Sequence, residues 1–366
     1  MLTEHFHNTQ KDTGHYSNDL RYVLSLQNTI AAFEEIKTWE GYAKTPLHSL
    51  DSMASDIGVK NIYYKDESSR FGLGSFKALG GTYGVLKFIH HALKKEIGDE
   101  VSMKDIHAGK YSEQISKYTV TTATDGNHGR SVAFGAKLFG CKCQIYIHSE
   151  VSSGRQKAME DLEATVNRVS GNYDESLQIC IEDAGKNNWY VISDTSYEGY
   201  TKYPRYIMAG YNVMAEEIID QIKDRPLPTH VFLQGGVGSF PGAICGYFWE
   251  KFPGNNIKFV VVESEYAPCL IRSAQNNQMT SVNIKQETMM AGLSCGEPSL
   301  LGWEILRSGA DDFITINDSS IPGLMRLLAE NNLKIEAGES SVAGLAGLIE
   351  SMEDQKIAKA MGLNKE

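Results

Sequence analysis

The run Lys65-Asp-Glu-Ser-Ser-Arg-Phe-Gly-Leu-Gly-Ser-Phe-Lys77-Ala-Leu-Gly-Gly-Thr-Tyr-Gly-Val85 is the stretch around which the rest of the chain is read. Residues 61–65 favour a strand. Gly72 and Gly74 then permit turn angles that a side chain disfavours. Ser75 is a natural N-cap, so a helix is predicted over 76–93. Lys77 falls in its first turn, where unpaired N–H groups and the positive dipole end disfavour a cation. A lysine there is stable when neutral or bonded, and condensation with an aldehyde would achieve both. For a lone lysine the alternative is a surface residue whose stem lies along an amphipathic helix.

Working outward, strands are predicted at 119–122, 143–147, 165–169, 189–193, 229–233, 259–263 and 312–316. Helices are predicted at 50–56, 128–139, 155–162, 173–186, 240–251, 268–276, 302–306, 324–331 and 341–352, with one long helix over 203–222. Residues 1–45 read as polar and irregular apart from a short helical pattern near 29–38, and 94–117 as a charged surface excursion. Strands alternating with helices predict an α/β fold of mostly parallel sheets covered on both faces. Ligands in such sheets sit at the carboxyl ends of strands.

A chain of 366 residues is long enough for two domains. The net charge of −11 argues against nucleic acid as a partner, because phosphate binding needs a basic face. No apolar run reaches membrane-span length, and the start lacks the basic and apolar regions of a signal peptide. Six cysteines without zinc spacing make neither a disulfide scaffold nor a metal site, so the cytoplasm is the expected compartment.

Four further motifs fall at expected strand ends. Gln234-Gly-Gly-Val-Gly-Ser-Phe240 joins a strand to a helix, and its glycines can turn several N–H groups toward one anion. It also reads as a plain tight turn. Thr122-Ala-Thr-Asp-Gly-Asn-His-Gly129 opens a helix whose free N–H groups suit a carboxylate, while Asp125 alone reads as a cap. Asp194 closes a strand before a long helix. Glu336-Ala-Gly-Glu-Ser340-Ser341 offers a hydroxyl between a strand-like run and a helix.

Taken together, these motifs resemble the tryptophan-synthase-type (fold type II) pyridoxal phosphate enzymes, and within them most closely the diaminopropionate ammonia-lyases. The resemblance rests on Lys65-Asp-Glu-Ser, Arg70-Phe-Gly-Leu, Phe76-Lys77, Thr124-Asp-Gly-Asn-His-Gly-Arg130, Asp194-Thr, Glu198-Gly-Tyr, Met208-Ala-Gly-Tyr, Gly235-Gly-Val-Gly-Ser239, Met290-Ala-Gly-Leu and Gly338-Glu-Ser340. Dehydratases of the same fold carry serine or alanine where this chain has Asp125. Ser341 departs from the family, which has glycine there.

The resemblance implies pyridoxal 5'-phosphate bound covalently by Lys77. Gly235, Gly236, Val237, Gly238 and Ser239 would hold its phosphate, Asn127 its phenolic oxygen and Ser340 its ring nitrogen. Thr124, Asp125, Gly126, His128 and Asp194 would bind substrate. Lys77 would serve as base for the L isomer and Asp125 for the D isomer, with Asp194 holding a second ammonium or tuning Asp125. The implied reaction is α,β-elimination of D- or L-2,3-diaminopropionate to pyruvate and two ammonia. Serine or threonine dehydration, β-replacement, and a non-catalytic cofactor-binding role are the alternatives. A large domain of 1–85 and 200–366, a small domain of 86–199, a site in the cleft between them and a homodimer are also expected. Cys269 and Cys295 fall near the expected site entrance, either paired or as separate thiols.

Overall fold

The computed structural model describes residues 1–12, 14–124, 126–171, 173–330, 332 and 334–363. It has two four-stranded sheets and a two-stranded ribbon. The strands are β1 (Leu2–His7), β2 (Leu47–Ser49), β3 (Tyr63–Lys65), β4 (Thr119–Ala123), β5 (Lys142–Ile147), β6 (Thr165–Arg168), β7 (Tyr190–Val191), β8 (His230–Gln234), β9 (Lys258–Ser264) and β10 (Asp312–Ile316). One sheet runs β6-β5-β4-β7 and is parallel throughout. The other runs β1-β10-β9-β8, with β8, β9 and β10 parallel and β1 antiparallel at its edge. β2 and β3 pair antiparallel. The fold is α/β, with mostly parallel sheets flanked by helices.

β4 is buried along its whole length, and its β-branched Thr-Val-Thr-Thr run suits a strand covered on both faces. The chain leaves β4 for β5 on one side, while β7 lies on the other. The carboxyl ends of β4 and β7 therefore flank a topological switch point, the crevice where α/β sheets bind ligands. All strands of this sheet fall within 86–199, and those of the other sheet fall outside it.

The Lys77–Ile97 helix crosses between these two regions. It packs on the Asn127–Phe139 helix so closely that a Cβ on Gly81 would stand 1.8 Å from Ser131 Oγ. A Cβ on Gly80 would stand 2.7 Å from the Ile207 carbonyl of the Lys202–Tyr211 helix. Two adjacent glycines thus let this helix lie close against both neighbours, and this fixes where the first turn of the helix points. Its geometric N-cap is Phe76, one residue past Ser75, whose Oγ still accepts from Lys77 N at 3.2 Å.

Two expectations are corrected. The N-terminal residues are not irregular throughout: 2–7 form β1, registered against β10 from Leu2↔Ile316 to His7↔Asp312. Two helices, Asn18–Val23 and Leu26–Ile36, follow it. The helix expected over 203–222 is two helices, Lys202–Tyr211 and Val213–Gln221. They meet at Asn212, which is fully buried and donates to Thr29 Oγ1 at 3.0 Å. A further C-terminal helix, Gln355–Met361, starts where Asp354 accepts from Lys356 N and Ile357 N. His91 packs on Tyr203 and Tyr206, as helix packing requires. No helix among the described residues is long and apolar enough to cross a membrane.

Candidate active site

Lys77 Nζ donates to Asp194 Oδ2 at 2.6 Å, with side chains 26% and 18% exposed. The pair joins the start of the Lys77–Ile97 helix to the segment after β7. His128, in the first turn of the Asn127–Phe139 helix, approaches the same carboxylate oxygen with Nδ1 at 3.6 Å. Its Nε2 lies 2.8 Å from the Ile192 carbonyl. A carbonyl only accepts, so Nε2 carries the proton and fixes the ring. Nδ1 is buried and makes no hydrogen bond among the described residues. Tyr211 OH donates to Asp194 Oδ2 at 3.4 Å.

Burial pushes the Asp194 carboxyl up, but the charge of His128 when its ring is protonated and that of the Lys77 ammonium outweigh burial and hold the group well below the usual carboxylate range. Asp194 is thus an ionised carboxylate at neutral pH. Burial pushes His128 the other way, toward the neutral ring, against the pull of Asp194.

After β4, Thr124 Oγ1 accepts from Gly126 N at 3.0 Å and Gly129 N at 3.1 Å. That leaves the Asn127 and His128 amides, which have no intrahelical acceptor, at the helix end. The Asn127 side chain is exposed. Asp125 lies outside the described residues.

The glycine loop follows β8. Gly235 N donates to the Val262 carbonyl at 2.8 Å, continuing the ladder to β9. A Cβ on Gly235 would meet Glu263 Cγ at 2.6 Å. Gly236 and Gly238 have φ of +58° and +96°, which favour glycine and curl the loop into the Ser239–Lys251 helix. This cradle, which side chains would fill, and the lysine beside it fit an aldehyde cofactor with an anionic tail. Ser239 Oγ lies 2.6 Å from the Asp194 carbonyl, so the cradle and the lysine–carboxylate pair are contiguous.

On the other side of the cradle, Ser340 Oγ accepts from Gly292 N at 3.1 Å, a bond that leaves the hydroxyl proton for another acceptor. The Gly292 carbonyl would be 3.3 Å from a Cβ on Gly236. Ser341 turns its hydroxyl onto its own loop, donating to the Gly338 carbonyl at 2.7 Å. Its main-chain carbonyl accepts from Gln234 Nε2 at 2.8 Å. Cys269 Sγ is a thiol donor 3.6 Å from the Gly236 carbonyl.

Lys77, Thr124, Gly126, His128, Asp194, the glycine loop and Ser340 thus converge at strand ends of both sheets. Sequence reasoning missed Tyr211, Ser196, Ser299 and Glu263. Tyr211 ends the Met208-Ala-Gly-Tyr motif, the one signal that could have drawn attention to it. A cavity of about 320 Å³ lies elsewhere, at the amino ends of β5 and β6, where Lys137 and Glu163 among its lining residues pair at 2.8 Å. It sits at the wrong end of the sheet for the usual ligand site.

Comparison with known proteins agrees with this geometry. A family model described as a pyridoxal-phosphate dependent enzyme matches residues 38–361. A diaminopropionate ammonia-lyase of Escherichia coli K12 is 37% identical over 334 residues, covering 89% of this chain and 82% of that protein. The crystal structure of the Escherichia coli diaminopropionate ammonia-lyase with an aminoacrylate–PLP azomethine intermediate superposes with a TM-score of 0.88 at 34% identity, covering 100% of this chain and 92% of that one. Its complex with D-serine gives a TM-score of 0.87 over the same coverage. The chain belongs to the pyridoxal-phosphate-dependent enzymes of fold type II, with pyridoxal phosphate as cofactor, and within them to the diaminopropionate ammonia-lyase family.

Proposed function

We propose that this protein converts 2,3-diaminopropionate to pyruvate and two molecules of ammonia. In the reaction the Cα–H and Cβ–N bonds break, the β-amino group leaves as ammonia, and hydrolysis of the remaining C–N bond releases the second. The bound cofactor supplies an electron sink for charge developing at Cα. Lys77 would hold it, with the Gly235–Ser239 loop on its phosphate, Asn127 on its phenolic oxygen and the unused Ser340 proton on its ring nitrogen. A hydroxyl cannot enforce a charged ring as a carboxylate can, which suits elimination over transamination. The substrate carboxylate would take the Asn127 and His128 amides beside Thr124 and Gly126. Lys77, once released, would accept the Cα proton of the L isomer. Asp125 would do so for the D isomer.

The observation that carries the substrate choice is the ionised Asp194 against Lys77 Nζ at 2.6 Å. Diaminopropionate brings a second ammonium that needs such a carboxylate, whereas the hydroxyl of serine or threonine does not. The D-serine complex of the Escherichia coli relative keeps dehydration as the second reading. The test is pyruvate release from D- and L-diaminopropionate, D-serine and L-threonine. A kcat/KM for diaminopropionate at least ~10-fold above the hydroxy amino acids supports the proposal, on the scale of one charge–charge contact. The reverse order supports dehydration, and no pyruvate from any of them supports a binding role.

The same proposal places the site in the cleft between domains 1–85 with 200–366 and 86–199, in a cytoplasmic homodimer. The buried thiols of Cys143, Cys180, Cys245 and Cys269, none joined to another, support a reducing compartment.

A further inference from the structure

Three buried serine hydroxyls stand between the glycine loop and the Asp194 segment. Ser196, Ser239 and Ser299 are 1%, 2% and 0% exposed. Ser299 Oγ lies 2.7 Å from Ser196 Oγ and 2.9 Å from Ser239 Oγ, and it accepts from Ser196 N at 3.0 Å. The backbone reinforces the contact. Ser299 N donates to the Val237 carbonyl at 2.7 Å, Leu300 N to the Ser196 carbonyl at 2.8 Å, and Leu301 N to Ser196 Oγ at 2.9 Å.

The proton of Ser239 can be placed. Ser239 has one hydroxyl proton, and the Asp194 carbonyl at 2.6 Å can only accept, so Ser239 donates to it. Ser239 also stands in donor geometry toward Ser299 Oγ at 2.9 Å, so its one proton is shared between two acceptors. The Ser196–Ser299 contact can run in either direction. The Ser239 hydroxyl is consequently spent within the cluster, and it is the Ser239 amide, at the helix start, that would be offered to an anion in the loop.

We propose that Ser299 is a positioning residue: its hydroxyl ties the phosphate-binding loop to the segment carrying Asp194, so that seating the cofactor's phosphate and aiming Asp194 at Lys77 are one event. This rests on the function proposed above. Ser299 itself touches neither Lys77 nor the Asp194 carboxylate. The described titratable groups facing that pair are His128 and Tyr211.

The test uses apoprotein titrated with pyridoxal phosphate and followed by visible absorbance. It reads the Kd and the pH at which the absorbance of the bound cofactor titrates. Ser299→Ala is expected to raise Kd about tenfold, the scale of one buried hydrogen bond. It is also expected to lower the titration midpoint by about half a unit or more, because a less firmly aimed carboxylate stabilises the protonated nitrogen less. Ser299→Cys, which keeps the volume and a weak donor, should shift both in the same direction by less, and it carries the test where the alanine variant fails to fold. A raised Kd with an unmoved midpoint would mean packing alone and overturns the proposal, as does no change in either quantity. Wild-type protein that gains no visible absorbance overturns both this proposal and the function beneath it.

Discussion

The two ends of the 65–77 stretch hold two charge clusters built from the same parts and used differently. At the β3 end, Arg70 is 1% and Glu217 0% exposed, and Arg70 donates to both oxygens of Glu217 at 2.9 and 2.8 Å. Glu67 and Lys65 complete the network, with Lys65 Nζ 2.7 Å from Glu217 and 3.0 Å from Gln221 Oε1. At the helix end, the Lys77–Asp194 pair is part-exposed and the neighbouring His128 Nδ1 has no hydrogen bond among the described residues. The closed cluster has its charges matched and its hydrogen bonds made, so it holds a loop. The open one keeps an ionised carboxylate and an incompletely bonded ring where a substrate can complete them.

The largest effect should come from breaking the closed cluster. Glu217→Gln leaves Arg70 and Lys65 under-compensated in the interior and should cost about 3 kcal/mol of unfolding free energy. Denaturant unfolding measures this, and turnover per folded molecule should change much less. Asp194→Asn is the mirror experiment. It should lower kcat/KM for diaminopropionate about 100-fold, the scale of a lost catalytic carboxylate, with little change in stability. If the two variants swapped signatures, the division of labour would be wrong.

A smaller effect concerns Glu263, under the glycine loop. It accepts from Leu270 N and Ile271 N at 2.8 and 2.7 Å, yet burial pushes its carboxyl up to about 8. The folded protein then retains a proton that the unfolded chain has released, so this group makes stability fall as pH rises from about 4.5 to about 8. Wild-type Tm should decline across that window, and Glu263→Gln should flatten the decline. An equal slope in both proteins would remove Glu263 as its source.

Much of this arrangement was legible locally. The Thr124 turn, Asp194 and the glycine loop lie just past strands, Lys77 opens the helix that follows the Gly72–Gly74 turn, and the 312–316 strand is found over the residues expected. What escaped was decided at a distance. β1 forms because Leu2 meets Ile316, a pairing that no window along the chain contains. The break at Asn212 depends on Thr29, and Arg70 finds Glu217 across 147 positions. Ser299 looked like any loop serine, and only the fold brings it within 2.9 Å of Ser239.

The central claim is that the lysine facing Asp194 is where the cofactor is bound. Borohydride reduction of the cofactor-loaded protein, followed by peptide mass mapping, tests it most directly. The account predicts loss of visible absorbance and the mass of the reduced cofactor on the peptide containing Lys77. A label on any other lysine, or none on a protein that binds the cofactor, would contradict it.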